Sequence, residues 1–151
     1  MYLSKSIRSV RHRRELDARF DRLTPDLAAR WGSLTAPRML AHLGDQMRLV
    51  LAKRGVEPRR YPGDRPWWRE LFLYLLPWPR AKLRGPPAAF ETPPARWSED
   101  LALLRRQVDE FVALVDEPHW PKHPVFGPMS HRSWGYFCYR HFDHHLRQFG
   151  V

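Results

Sequence analysis

Residues 130–149 read Ser130-His131-Arg132-Ser133-Trp134-Gly135-Tyr136-Phe137-Cys138-Tyr139-Arg140-His141-Phe142-Asp143-His144-His145-Leu146-Arg147-Gln148-Phe149. Serine at the start supplies a helix cap, and Gly150 follows the last turn. Trp134, Phe137, Cys138, His141, His145 and Gln148 recur at helical spacing. One face of this helix is therefore apolar at its beginning and turns to imidazole at its far end. His141 and His145 are four residues apart, so both rings sit on that face one turn apart and can address one ion. A buried imidazole needs a hydrogen-bond partner or a metal, so the pair points to a metal site if a third ligand comes from elsewhere.

Working outward, three further helices are expected. Val10 to Leu23 places Val10, Leu16, Phe20 and Leu23 among charges. Thr35 is a cap candidate with Pro37 in the first turn, and Met39, His42, Leu43, Gln46, Met47 and Val50 follow helical spacing until Gly55. Ser98 is expected to open another helix, with Glu99 and Asp100 at its positive end. Its stripe is Leu101, Leu104, Val108, Phe111, Val112 and Val115, and Pro118 stops it. No segment alternates as a strand does. Four helices with one long crossover predict an all-α, four-helix bundle.

The crossover, from about Gly55 to Ser98, is rich in proline and carries Trp67, Trp68, Trp78 and Trp97. It is too aromatic for a disordered linker. A connection this long inside one domain is usually functional. It is expected to pack over the bundle, with Trp67, Trp68 and Phe72 against the helices or a second subunit.

The length of 151 residues predicts a single domain, residues 1–151. A hydrophobic share of 43% and a charged share of 28% place the chain among ordinary globular proteins. One cysteine, Cys138, excludes an internal disulfide and suits a reducing compartment. No secretory h-region and no membrane-length apolar run is visible, so the expectation is cytoplasmic, with no membrane partner. The formal charge of +10 is carried mostly by arginine. No nucleic-acid motif accompanies it, so solvated basic faces are the reading and a nucleic-acid partner is not expected.

A bundle builds metal sites from side chains on facing helices, and His42 is the inward histidine on the second helix. His12, His119, His123 and His131 fit less well, and His144 is turned about 100° from His145. The expected ligands are therefore His42, His141 and His145. Taken singly, His42 reads more readily as a satisfied core histidine, and Cys138 as simple packing rather than a weak ligand or nucleophile; together the three histidines favour a metal. Glutamate does not follow His141, which excludes the metalloprotease pair. Asp45 and Asp143 are candidates for orienting the imidazoles, or else surface carboxylates. Imidazole suits zinc, nickel, copper and iron; zinc or nickel leads the expectation, then iron.

With Met39-Leu40-Ala41-His42-Leu43 and His141-Phe142-Asp143-His144-His145-Leu146-Arg147-Gln148 on the page, the chain resembles the DinB-like, or YfiT-like, superfamily of metalloenzymes. Leu76-Pro77-Trp78-Pro79, His123 to Ser130 and Trp134-Gly135 resemble one bacterial branch of it. The resemblance covers most of the chain. It implies a four-helix bundle holding a divalent metal through three histidines, one early and two late. It also implies thiol-dependent transfer or isomerisation with a low-molecular-weight thiol and a small-molecule substrate. A homodimer is compatible with it. A metal-dependent hydrolase and a non-catalytic, metal-stabilised binding or stress-response module stay open as alternatives. No residue is assignable as a general base.

Overall fold

Thr35 stops the chain from running straight into its second helix. Its backbone is extended, and its hydroxyl accepts from the Arg38 amide at 3.3 Å, with proline in the first turn. Losing such a cap costs about 1 kcal/mol. The helix it opens, and three others, make up the architecture seen in a computed structural model that describes residues 5–51, 90–124 and 126–151. In chain order they are α1 (Val10–Phe20), α2 (Ala36–Val50), α3 (Trp97–Ala113) and α4 (His131–Gln148). Among the described residues there is no strand, only an isolated antiparallel bridge between His123 and Gly127. The fold is all-α, as expected.

The helix boundaries differ from the sequence reading in small ways that have local causes. Ser130 caps α4 as anticipated, accepting from the Ser133 amide at 3.2 Å. Ser98, by contrast, lies inside α3, which is preceded by Arg96. The Asp100 carboxylate reaches back to the Ala95 amide at 2.9 Å, and this shifts the helix start upstream of the serine. Helix α1 ends at Phe20, three residues short of Leu23. Val10 and Val115, read as members of buried stripes, are each 53% exposed. Val10 is the first residue of α1 and Val115 lies beyond the end of α3, so neither is held on an inward face. The aromatic residues Trp67, Trp68 and Phe72 lie outside the described residues.

Met39, Leu43, Met47 and Val50 of α2 are fully buried, and this stripe packs most extensively against α3, which contributes Leu104 and Phe111. Gln107 of α3 crosses the same interface and donates to the Gly44 carbonyl at 3.2 Å. On the other side α4 supplies Trp134, Phe137, Cys138, Phe142 and Leu146 to the same core. Helix α1 joins it through Leu16 and Phe20, the latter edge-on to Phe142.

Charged contacts set the rotation of α4. Asp143 is almost buried and receives Arg19 of α1 at 2.7 Å and Arg147, one turn on, at 3.0 Å. Tyr139 donates to Glu15 at 2.9 Å, and Lys5 binds the same carboxylate. Because Asp143 faces α1, the residues on the opposite side of its turn, His141 and His145, face inward. The chain entering α1 also crosses α4 closely: the Ile7 amide donates to the Gly135 carbonyl at 3.1 Å. A Cβ on Gly135 would meet Ser6 Oγ at 2.6 Å and Arg8 Cγ at 2.9 Å.

This crossing yields a prediction. Gly135→Ala forces the Ser6 and Arg8 side chains off α4, and this overpacking exceeds the roughly 1 kcal/mol gained in helix propensity, so unfolding stability falls by about 1 kcal/mol. Chemical denaturation followed by circular dichroism reads the change, and an unaltered midpoint contradicts the account.

Candidate metal centre

His42 stands midway along α2, and His141 and His145 stand on the last two turns of α4. Their relative exposures are 4%, 8% and 7%, so all three rings are withdrawn from water. His141 Nε2 lies 3.1 Å from His42 Nε2 and 3.0 Å from His145 Nε2. Each of the three offers one ligand atom, and these atoms all lie within 4.8 Å of one another. The three residues picked out by helical spacing are therefore brought together. His144, expected to point away, is half-buried with its ring edge-on to Trp31 and is not part of the cluster.

Protonation at this point is constrained by a relay. Gln148 donates its side-chain amide to the Trp31 carbonyl at 2.7 Å, which leaves its oxygen facing His145. His145 Nδ1 lies 2.8 Å from that oxygen and must therefore carry the proton. Burial pushes His145 down to about 3, with the nearby His42 adding to the effect and the Gln148 bond opposing it. His145 is then neutral at pH 7, with a bare lone pair on Nε2. That lone pair points toward His141 Nε2, which stands equally close to His42 Nε2. One proton on His141 can serve only one of its two neighbours well. A cation satisfies all three nitrogens together.

Two of the three donor separations also fit an ion by size, and the third is within 4.8 Å. Bonds of about 2.0–2.1 Å to a shared ion place two nitrogens roughly 2.9–3.4 Å apart, between right-angle and tetrahedral arrangements. The observed separations of 3.0 and 3.1 Å fall within that range. The arrangement is compatible with a divalent metal. His141 is held well below its ordinary value, first by burial and then by the surrounding imidazoles His145, His42, His144 and His123. Neutral imidazole, the state that burial favours at His141 and His145, is the form that ligation requires.

Two features of the site were not legible as ligands or supports. Phe90 stacks on His42 with centroids 4.2 Å apart and planes 8° apart. It belongs to the proline-rich crossover, where no periodicity marks an inward face. His123 was read as a loop residue, yet it is 8% exposed, packed against Phe126, Trp134 and Phe137. A tight turn closed by reciprocal His123–Gly127 backbone bonds, with Gly127 at φ +66°, carries it inward. Its Nδ1 accepts from the Phe126 amide at 3.1 Å, and burial lowers it to about 3. His131 bonds the Phe111 carbonyl at 3.0 Å and stacks on Trp120, away from the cluster.

The other candidates resolve plainly. Cys138 is wholly buried in the apolar core, and burial raises its thiol, so it remains protonated packing. Asp45 and Asp143 are not surface carboxylates. Asp143 serves the α1 contact, and Asp45, at 0% exposure, bonds Thr92 and Arg48.

Comparison with protein-family models, curated proteins and solved structures finds no match to this chain. The geometry of the three histidines therefore carries the functional argument.

Two predictions follow from the relay and the burial. Gln148→Leu keeps the shape of the side chain but removes the acceptor at His145 Nδ1. Metal affinity measured by competition titration should fall about 10–100-fold, the usual effect of losing a ligand's supporting bond, and an undiminished affinity contradicts the relay. Second, His123 and His145 titrate near 3 in the fold against 6.5 in the open chain. Below 6.5 the unfolded chain takes up protons that the folded chain refuses. Metal-free protein is therefore at full stability above about pH 6.5 and loses stability steadily as pH falls toward 3. Urea midpoints between pH 7.5 and 4.5 read this slope. His123→Gln should flatten it, and a slope of opposite sign contradicts the neutral assignment.

Proposed function

We propose that this chain is a metal-dependent enzyme of the DinB-like kind, a four-helix bundle in which His42, His141 and His145 hold one divalent ion. Zinc or nickel is the proposed metal, with iron next. In the proposed reaction a low-molecular-weight thiol gives up its proton and its sulfur forms a bond to a carbon of a small electrophilic substrate, while the substrate's leaving group or π-electron pair takes up the displaced electrons and the proton. The observation that carries this reading is the convergence of three buried imidazoles from two helices, with two of the nitrogen separations at 3.0 and 3.1 Å.

The chain's own residues supply binding and orientation. His42 comes from one helix and the His141/His145 pair from another, so the site forms only when α2 and α4 are docked. Gln148 fixes the proton of His145 on Nδ1 and so keeps Nε2 free to ligate. Phe90 and Phe137 provide apolar surroundings for His42 and His141, which strengthen electrostatic interactions within the site. His42, His141 and His145 would hold the divalent ion, and three uncharged donors would leave its charge uncompensated, so that it would supply acidification of a thiol or water toward neutrality.

A cavity of about 140 Å³ elsewhere, between α1 and α3, is lined by Leu16, Asp17, Phe20, Leu104 and Arg105, and none of the three histidines borders it. It has no part in the proposed reaction. Most of the crossover expected to pack over the bundle, residues 52–89, lies outside the described residues. No helix of the described residues is long and apolar enough to cross a membrane. The small-molecule substrate, the thiol and a homodimeric state rest on the resemblance in the sequence.

The test has two parts. Wild-type protein equilibrated with zinc or nickel should retain about one ion per chain, measured by elemental analysis after gel filtration, and His141→Ala should lose it while keeping its helical circular dichroism. Retention of the full metal content by His141→Ala refutes the ligand set. The loaded protein is then offered a panel of low-molecular-weight thiols with a model electrophile. Metal- and thiol-dependent turnover supports the transferase. Ester or amide cleavage without thiol assigns a hydrolase instead, and metal binding with no turnover leaves a binding module.

A further inference from the structure

The buried carboxylate Asp45 raises a question that the histidines do not answer. It is at 0% exposure, three residues beyond His42 on α2. An ionised carboxylate withdrawn from water is costly unless it is paired and hydrogen-bonded. Among the described residues, Asp45 meets this condition by gripping a short segment of the crossover. Its Oδ2 accepts from the Thr92 amide at 2.9 Å, and its Oδ1 accepts from the Thr92 hydroxyl at 2.5 Å and from Arg48 at 2.5 Å. Arg48 also donates to the Thr92 hydroxyl at 3.1 Å. From the preceding turns of α2, Arg38 donates to the Thr92 carbonyl at 2.8 Å and to the Phe90 carbonyl.

Arg38, His42 and Asp45 fall on one face of α2, at i, i+4 and i+7, and Arg48 follows one turn on. The residues that grip the segment therefore bracket the histidine. What they hold in place is Phe90, whose ring lies parallel to His42 at 4.2 Å. His141 and His145 meet His42 edge-on, each with centroids 5.0 Å away. A rotation of the His42 ring that swung its Nε2 away from those partners would drive its face into Phe90.

We propose that residues 90–92 form a positioning strap for His42, in which the buried Asp45, through Thr92, holds Phe90 as the plate that fixes the imidazole in its ligating orientation. The proposal rests on the metal-site reading for its purpose. The orientation of His42 that it describes exists in the metal-free protein as well.

Four variants test it. Phe90→Leu removes the flat plate, and Thr92→Val removes the hydroxyl that Asp45 holds while keeping the side-chain shape. Each should weaken zinc binding about 10–100-fold in a competition titration, alter the visible absorption of the cobalt-substituted protein, and shift the ring-nitrogen resonances of His42 in metal-free protein. Phe90→Tyr and Thr92→Ser restore the plate and the hydroxyl, and should return all three readouts to those of wild type. Melting of the metal-free variants is followed alongside. Wild-type affinity and cobalt spectrum in both Phe90→Leu and Thr92→Val overturn the strap. So does a loss of affinity that merely tracks a loss of stability while the cobalt spectrum and His42 resonances stay put. If wild-type protein binds neither zinc nor cobalt, the metal reading fails, and the His42 resonances of the metal-free variants still decide the strap.

Discussion

Two helices whose histidines are 99 residues apart in sequence place buried imidazole nitrogens 3.1 Å from each other, and a third joins at 3.0 Å. Nitrogen lone pairs at that spacing repel unless a proton or a cation lies between them. His145 contributes a bare Nε2, because Gln148 holds its proton on the opposite nitrogen. This constraint organises much of what surrounds it. Asp143 and Arg19 fix the rotation of α4 so that His141 and His145 face inward. The apolar stripe of α2 fixes His42 opposite them, and the Phe90–Thr92 segment closes over its ring.

Burial and charge act together here. Transfer of an imidazolium into such a site is strongly unfavourable, so His141 and His145 stay neutral well below the usual histidine range. Neutral imidazoles are good ligands, and three of them add no compensating charge to a divalent ion. The carboxylates nearest in sequence, Asp45 and Asp143, are both engaged with arginine. The arginine bias that looked like a solvated basic face is partly internal. Arg19, Arg38 and Arg48 each bond a buried carboxylate or a backbone carbonyl, and Arg13 caps the Ile7 carbonyl at 2.7 Å.

The helices were legible because their apolar stripes have a 3.6-residue period and their caps are chemically distinct; Thr35 and Ser130 act as read. The histidine cluster was legible for the same reason, since His42, His141 and His145 fall on those stripes. Periodicity fails at helix ends, which explains Ser98, Val10 and Val115. It also fails wherever a side chain reaches the site from irregular chain. Phe90 carries no local signal, because its position is decided by Arg38, Asp45 and Thr92, contacts made across 44 to 54 residues of sequence. His123 is similar, since a turn at Gly127 rather than a helix face brings it in.

The central claim is that the three imidazoles share one ion, and X-ray absorption at the zinc edge of stoichiometrically loaded protein tests it most directly. The account predicts a first shell of nitrogen and oxygen at about 2.0–2.1 Å, with the outer-shell scattering of three imidazole rings. A sulfur scatterer at about 2.3 Å from Cys138, or outer-shell scattering of a single imidazole, would contradict it.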